Sequence, residues 1–173
     1  MALLLVELAP ADPSREAVEA LLDRLTHAAA SAGGTLVEAQ VTVDGRRVFA
    51  IVEHGSADDV RHLLADASID AESVDPVRLV GADLDEIKAR RAGGEYLVEW
   101  DLPSGLTMDA YLTRKKEKAP LYDEVPEATF LRTYVREDLV KCLCFYDGDD
   151  EGAIVKARSA VSAPIDRFHR LAR

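Results

Sequence analysis

The chain has 173 residues, 48% of them hydrophobic, so it can bury a folded core and is not a disordered segment. Its formal net charge of −11 disfavours nucleic acid and anionic membrane surfaces as partners, because both are bound through Lys and Arg. The length allows one domain or two small ones.

The opening "MALLLVELAP" predicts neither a signal peptide nor a membrane span. It lacks a basic region, its apolar run is short, and Glu7 interrupts that run. Elsewhere no apolar run approaches the ~20 residues that a membrane-spanning helix needs. We therefore expect a soluble cytoplasmic protein with no membrane partner.

The first half predicts the element order β-α-β-β-α-β. An apolar strand covers Leu3 to Leu8, and the next helix is expected to be capped by Asp12 and to end at Gly33-Gly34. Asp44-Gly45 is typical of a two-residue hairpin turn. Ser56 begins a second helix, and "DPVRLVG" forms a fourth strand.

The second half repeats this order after a short connecting helix at residues 82–94, capped by Asp83. The strand "EYLVEWDLP" precedes a helix that Pro120 must end or kink. A hairpin, the helix "DDEGAIVKARSAV" and the strand "APIDRFHRLAR" follow. We predict domains at 1–81 and 95–173, joined by the segment 82–94.

The halves match in detail at a spacing of about 92 residues, which indicates an internal duplication. "LVEL" at 5–8 corresponds to "LVEW" at 97–100, so Glu7 and Glu99 occupy equivalent positions. A βαββαβ unit places both helices on one face of its sheet and leaves the other face bare. The predicted fold class is α+β: two ferredoxin-like units in one chain, forming a dimeric-type α+β barrel as a pseudo-dimer.

The hairpin "FLRTYVREDLVKCLCFY" at 130–146 alternates in a way that predicts two different faces. The face expected under the helices carries small or apolar side chains: Leu131, Thr133, Val135, Cys142 and Cys144. The opposite face, expected to line the barrel interior, carries Phe130, Arg132, Tyr134, Lys141, Leu143 and Phe145.

The polar side chains of these interior faces, with two phenylalanines beside them, are the candidate ligand-binding residues. They are Glu7, Gln40, Arg47, Phe49, Glu99, Phe130, Arg132, Tyr134 and Lys141. Because an unpaired buried charge is costly, these groups need partners or a wet cavity. Two interpretations stay open: a salt-bridge network, with Glu99 or Glu7 paired to Arg132 or Arg47, or a pocket for a small polar or aromatic molecule.

The second half, roughly residues 94–172, resembles a family of small bacterial ferredoxin-like proteins described as nickel-binding or nickel-responsive. The resemblance rests on "EYLVEWDLPSGLT", "FLRTYVREDLVKCLCFY", "DDEGAI" and "SAPIDRF". It implies the ferredoxin-like fold and a metal function. However, Arg132 stands where the family hairpin has His, and Lys156 or Arg158 where its second helix often has His. A cation cannot replace imidazole as a ligand, so we expect no cofactor and weak or absent nickel binding.

The remaining reactive side chains point to no specific chemistry. Cys142 and Cys144 are expected to be buried core thiols rather than a metal site. The histidines have no metal-binding spacing and are expected to lie at the surface or at caps. They are His27, His54, His62 and His169.

Three functions remain open at this level. The first is a binding protein for a small molecule or metal, and the second is a cofactor-independent monooxygenase or isomerase, an analogy drawn from the fold alone. The third is a non-catalytic scaffold for a partner. The chain is expected to be a monomer, as a pseudo-dimer, or a homodimer.

Overall fold

The computed structural model describes residues 1–90 and 93–173, and it divides them into two compact units. Of the described residues, unit 1 contains Met1–Val77, Asp83–Gly93 and Ala172–Arg173. Unit 2 contains Arg78–Ala82 and Gly94–Leu171. Among the described helices, none has the length and apolar character that crossing a membrane requires.

Unit 1 has the predicted βαββαβ order. Its elements are β1 (Ala2–Leu8), α1 (Arg15–Ser31), β2 (Thr35–Val41), β3 (Val48–His54), α2 (Ala57–Asp66) and β4 (Ser73–Val80), whose last residues group with unit 2. The short helix α3 (Leu84–Arg90) follows, and Asp83 accepts a hydrogen bond from its first turn. The strands lie in the order β2-β3-β1-β4, with antiparallel pairs.

The core of unit 1 lies between one face of this sheet and its two helices. Leu4, Val6 and Leu8 alternate along β1 and pack with Val18 and Leu25 of α1. The helix is capped by Ser14, whose hydroxyl accepts from the Ala17 N–H at 3.3 Å. The prediction of Asp12 as the cap is wrong, because its carboxylate accepts instead from the Ser14 N–H.

The turn between β2 and β3 keeps the predicted register with a longer loop. Gln40 lies opposite Phe49, and the Thr42 N–H donates to the Arg47 carbonyl at 3.0 Å. Four residues, rather than two, therefore lie between the hydrogen-bonded Thr42 and Arg47. Gly45 adopts φ +72° within the loop, a conformation that favours glycine.

Unit 2 has the same order of strands and helices. Its elements are β5 (Tyr96–Asp101), α4 (Met108–Lys118), a 3-10 helix (Ala119–Glu124), β6 (Ala128–Arg136), β7 (Lys141–Gly148), α5 (Glu151–Ala160) and β8 (Arg167–Arg170). Pro120 ends α4, as predicted, and lies in the 3-10 helix. The strands lie in the order β6-β7-β5-β8.

A β-bulge at Leu131 reverses the predicted orientation of the first hairpin residues. Phe130 pairs with Tyr146 and Arg132 with Phe145, so Leu131 has no partner of its own on β7. The prediction that Phe130 lies opposite the helices is therefore wrong: its ring stacks on Tyr122 at 5.2 Å, in the helix-side core. Leu131 lies instead on the side of Phe145, near Gly94.

Candidate functional site

Glu99 is the centre of a charged cluster on the face of the unit 2 sheet opposite the helices. The side chain is 2% exposed and accepts hydrogen bonds from three partners on neighbouring strands. The Lys141 Nζ is 2.6 Å from Oε1, while the Arg167 Nε and the His169 Nε2 are 3.0 Å and 2.7 Å from Oε2. Asp101 binds the outer side of the Arg167 guanidinium.

These partners keep Glu99 ionised despite its burial. Burial by itself would raise the pKa of Glu99, but the hydrogen bonds from His169 and Lys141 lower it, as do the charges of Lys141 and Arg167. The net effect lowers the pKa of Glu99 from 4.5 to about 2. The carboxylate is therefore a fixed negative charge that orients the His169 imidazole and the Lys141 ammonium.

Arg132 and Tyr134 lie on this same face and are buried, as strand parity predicts beyond the bulge. The Arg132 guanidinium lies 4.3 Å from the centre of the Phe145 ring, and Tyr134 meets that ring edge-on at 6.1 Å. The sequence left open a pairing of Glu99 with Arg132 or Arg47. Glu99 is bound by Lys141, Arg167 and His169, whose strands β7 and β8 flank β5 directly.

The candidate residues of unit 1 also come together on one sheet face. Glu7, Phe49 and Gln40 lie opposite one another across β1, β3 and β2. The Arg47 guanidinium contacts Glu7 at 3.3 Å and lies over the Phe49 ring at 5.7 Å. Ser73 also donates to Glu7, at 3.1 Å. Glu7 and Glu99 thus play equivalent parts as buried carboxylates held by cations or hydroxyls.

Two members of the Glu99 cluster, Arg167 and His169, were missed from the sequence. The expectation of a surface or cap role for His169 is wrong, because the imidazole is largely buried against a carboxylate. Strand parity in "DRFHR" carried the available signal: Arg167 and His169 alternate with Phe168 and so share one face. His54 does act at a cap, since its Nε2 lies 3.0 Å from the Ala32 carbonyl at the end of α1.

Cys142 and Cys144 lie on the opposite, helix-side face of the sheet and are free thiols. Their sulfur atoms are 3.9 Å apart, and Cys144 accepts from the Thr133 hydroxyl at 3.2 Å. The hydrogen bond from Cys142, with the charges of Lys115 and Arg158, lowers the pKa of Cys144. Both thiols are completely buried, as expected for core residues.

The side chains present do not fit a nickel site. Residues 1–90 and 93–173 contain no group of three or more His, Cys, Asp and Glu side chains that could hold a metal ion. At the positions where the resemblance implies His, Arg132 and Arg158 are buried cations, and Lys156, the alternative to Arg158, is an exposed one. Each would repel a metal ion rather than coordinate it.

Comparison with known proteins agrees with the resemblance of the second half. Residues 96–171 match the model of the family described as "Nickel responsive protein SCO4226-like". The predicted resemblance is confirmed over these residues. No protein with a curated description matches the sequence.

Several solved structures share the fold over nearly the whole chain. TA0507, provisionally described as a chlorite dismutase, has a TM-score of 0.54 and 11% identity, and the match covers 100% of this chain and 96% of that one. A protein from Lactobacillus acidophilus NCFM, provisionally described as a monooxygenase, has a TM-score of 0.53 and 11% identity, with 99% and 93% covered. An anthrone oxidase-like protein has a TM-score of 0.53 and 12% identity, with 99% and 92% covered. The predicted fold class, a dimeric-type α+β barrel built from two ferredoxin-like units, is confirmed.

Proposed function

We propose that the protein binds a small polar or aromatic molecule on the face of the unit 2 sheet that carries the Glu99 cluster. The observation that carries this proposal is the orientation of His169 and Lys141 by a buried, ionised carboxylate. Fixed donors of this kind are costly to bury and are typical of ligand sites that combine a few polar groups with apolar walls.

The chemistry of this face suits such a ligand. Arg132 and Tyr134 add a guanidinium and a phenol, and the Phe145 ring lies between them. The imidazole of His169 can donate or accept, whereas Arg132 only donates. Together these groups would hydrogen-bond the polar edge of a ligand while aromatic rings contact its apolar part.

Phenol, an uncharged polar aromatic molecule, is the probe for this proposal. In an NMR titration of the isotope-labelled protein, we expect saturable shifts of the backbone amides of Tyr134 and His169. His169→Ala should weaken phenol binding, and His27→Ala, which removes an exposed imidazole from α1, should leave it unchanged. Shifts confined to other surfaces, or equal losses in both variants, would contradict the proposal.

A second candidate is a cofactor-independent monooxygenase acting as an anthrone oxidase, and the His169–Glu99 pair favours it. A carboxylate 2.7 Å from an imidazole stabilises the imidazolium that forms when the histidine takes a proton from a substrate. The fold likeness to an anthrone oxidase-like protein suggests the test substrate. Anthrone and O₂ give anthraquinone and water: one oxygen atom becomes the new carbonyl, and the other leaves as water with the two hydrogens lost from the methylene carbon.

Oxygen uptake with anthrone distinguishes the two candidates. An oxidase should consume one O₂ per anthrone, and His169→Ala should lose this activity while His27→Ala keeps it. If phenol binds but anthrone is oxidised no faster than in buffer, the protein is a binding protein and the oxidase candidate is wrong.

A further inference from the structure

A small pocket on the other side of unit 2, between α4, the 3-10 helix and α5, has an unusual concentration of positive charge. It encloses about 30 Å³ and is open to solvent on one side. Its wall is made by Trp100, Arg114, Lys115, Lys118, Ala119, Tyr122, Arg158, Val161 and Ala163. Among these lining residues there is no Asp or Glu, although the whole chain carries a net charge of −11.

Helical spacing turns three cations of α4 towards this pocket. Arg114, Lys115 and Lys118 line it and are partly buried, whereas Lys116 and Glu117 are exposed. The segment "RKKEK" therefore presents two different faces of the helix. The outer side is a solvated helix surface, and the inner side is the positive wall of the pocket.

None of the pocket cations forms an ion pair with a carboxylate among the described residues. Arg114 donates to the Ser162 carbonyl at 2.5 Å, and Lys115 donates to the Thr133 hydroxyl at 2.8 Å. Arg158 donates to the Tyr146 hydroxyl at 3.2 Å. If Cys144 is counted as a thiolate, three positive charges still remain uncompensated.

Arg158 is the most deeply buried of the pocket cations. It is 2% exposed, its guanidinium lies 5.7 Å from the Trp100 ring centre, and its Nε–H has no acceptor among the described residues. Arg114 lies at 5.6 Å from the same ring. A buried guanidinium without a counter-charge is strongly unfavourable, and the hydrogen bonds of Arg158 go to the neutral Tyr146 hydroxyl and Pro164 carbonyl. A bound anion would supply the missing negative charge.

We propose that this pocket binds a phosphate-sized oxyanion, either free or as the terminal group of a larger molecule. Guanidinium and ammonium groups form short, charge-assisted hydrogen bonds with phosphate oxygens. A volume of about 30 Å³ suits a small oxyanion and is far below the ~300 Å³ of a pocket for an organic ligand. The site is separate from the Glu99 face and does not depend on the function proposed for it.

Calorimetric titration with inorganic phosphate, against sodium chloride at equal ionic strength, tests the proposal. We expect one saturable phosphate site and no such site for chloride. Lys118→Met should weaken phosphate binding about tenfold, the effect of losing one charge-assisted contact. Lys116→Met removes the same charge from the exposed side of the same helix and should change affinity less than about twofold.

Lys118 is the preferred position because its side chain shows no hydrogen bond or ion pair with the described residues, so its replacement should leave the fold intact. Glycerol phosphate is the second probe. Tighter binding of glycerol phosphate than of phosphate identifies a larger ligand, and equal binding identifies the free ion. Absence of a saturable phosphate site, or equal losses in Lys116→Met and Lys118→Met, would overturn the proposal.

Discussion

The Nε2 atom of His169 lies 2.7 Å from Oε2 of Glu99, which joins the last strand of unit 2 to its first strand through a buried carboxylate. Lys141 approaches the other oxygen from β7, on the opposite side of β5. Glu99 therefore connects three strands through their side chains, and its ionisation state controls the stability of this face.

The stability of the protein should depend on Glu99 at acidic pH. A carboxylate whose pKa is lowered from 4.5 to about 2 contributes stability that is present above pH 4.5 and is lost as pH falls towards 2. The full contribution is about 3 kcal/mol. The difference in unfolding free energy between wild type and Glu99→Gln should shrink by about 2 kcal/mol from about pH 5.5 to about pH 3. Denaturant titrations of both proteins at these pH values measure this difference.

Glu19→Gln is the control for this pH dependence, because Glu19 is exposed and its ion pair is with Arg15 in the same helix. Its effect should be small at every pH. If the unfolding free energies of wild type and Glu99→Gln change in parallel with pH, the pKa of Glu99 is the same in the folded and the unfolded chain, and the prediction is wrong.

A double-mutant cycle should identify Lys141 as a partner of Glu99. Glu99→Leu alone should cost about 3 kcal/mol or more, because it removes the buried carboxylate that Lys141 and Arg167 contact. Adding Lys141→Met should recover about 1–2 kcal/mol of this loss. The matching cycle with Arg132→Leu should show a smaller coupling, since the described partners of Glu99 are Lys141, Arg167 and His169. Equal couplings would contradict the observed geometry.

Phe130 should behave as a core residue. Its ring stacks on Tyr122, packs edge-on against Tyr146, and lies under the Lys115 ammonium at 4.7 Å. We expect Phe130→Ala to lower the unfolding free energy by about 2 kcal/mol and to leave phenol binding unchanged. Thr129→Ala, at the exposed neighbouring position, should be almost neutral. A stable Phe130→Ala variant with lost phenol binding would instead place the ring at the ligand site.

Nickel should not bind tightly to the metal-free protein. Arg132 occupies the hairpin position where the family carries His, and its positive charge disfavours a cation nearby. Calorimetry should show no stoichiometric nickel site in wild type. Arg132→His restores the family residue, and a gain of nickel binding in this variant alone would show that this one position decides metal binding. A stoichiometric site in wild type would refute the prediction.

Local patterns in the sequence were sufficient for the element order and for most side-chain orientations. Apolar alternation placed Glu7 and Glu99 on the sheet faces away from the helices, because a strand turns successive side chains to opposite faces. Ser56 and Pro120 marked helix boundaries through capping and the missing N–H of proline. These features depend on neighbours a few residues away.

Only the tertiary structure decided which side chains meet. The bulge at Leu131 moved Phe130 into the core, and no residue of the hairpin sequence marks an extra position in the ladder. The sequence offers several cations as partners for Glu99. Lys141 and His169 contact it because the strand order brings together residues up to 70 positions apart. The pocket cations of α4 and Arg158 of α5 likewise converge through helix packing on the sheet. Periodicity specifies which face a residue occupies, whereas its partner depends on long-range pairing of strands and helices.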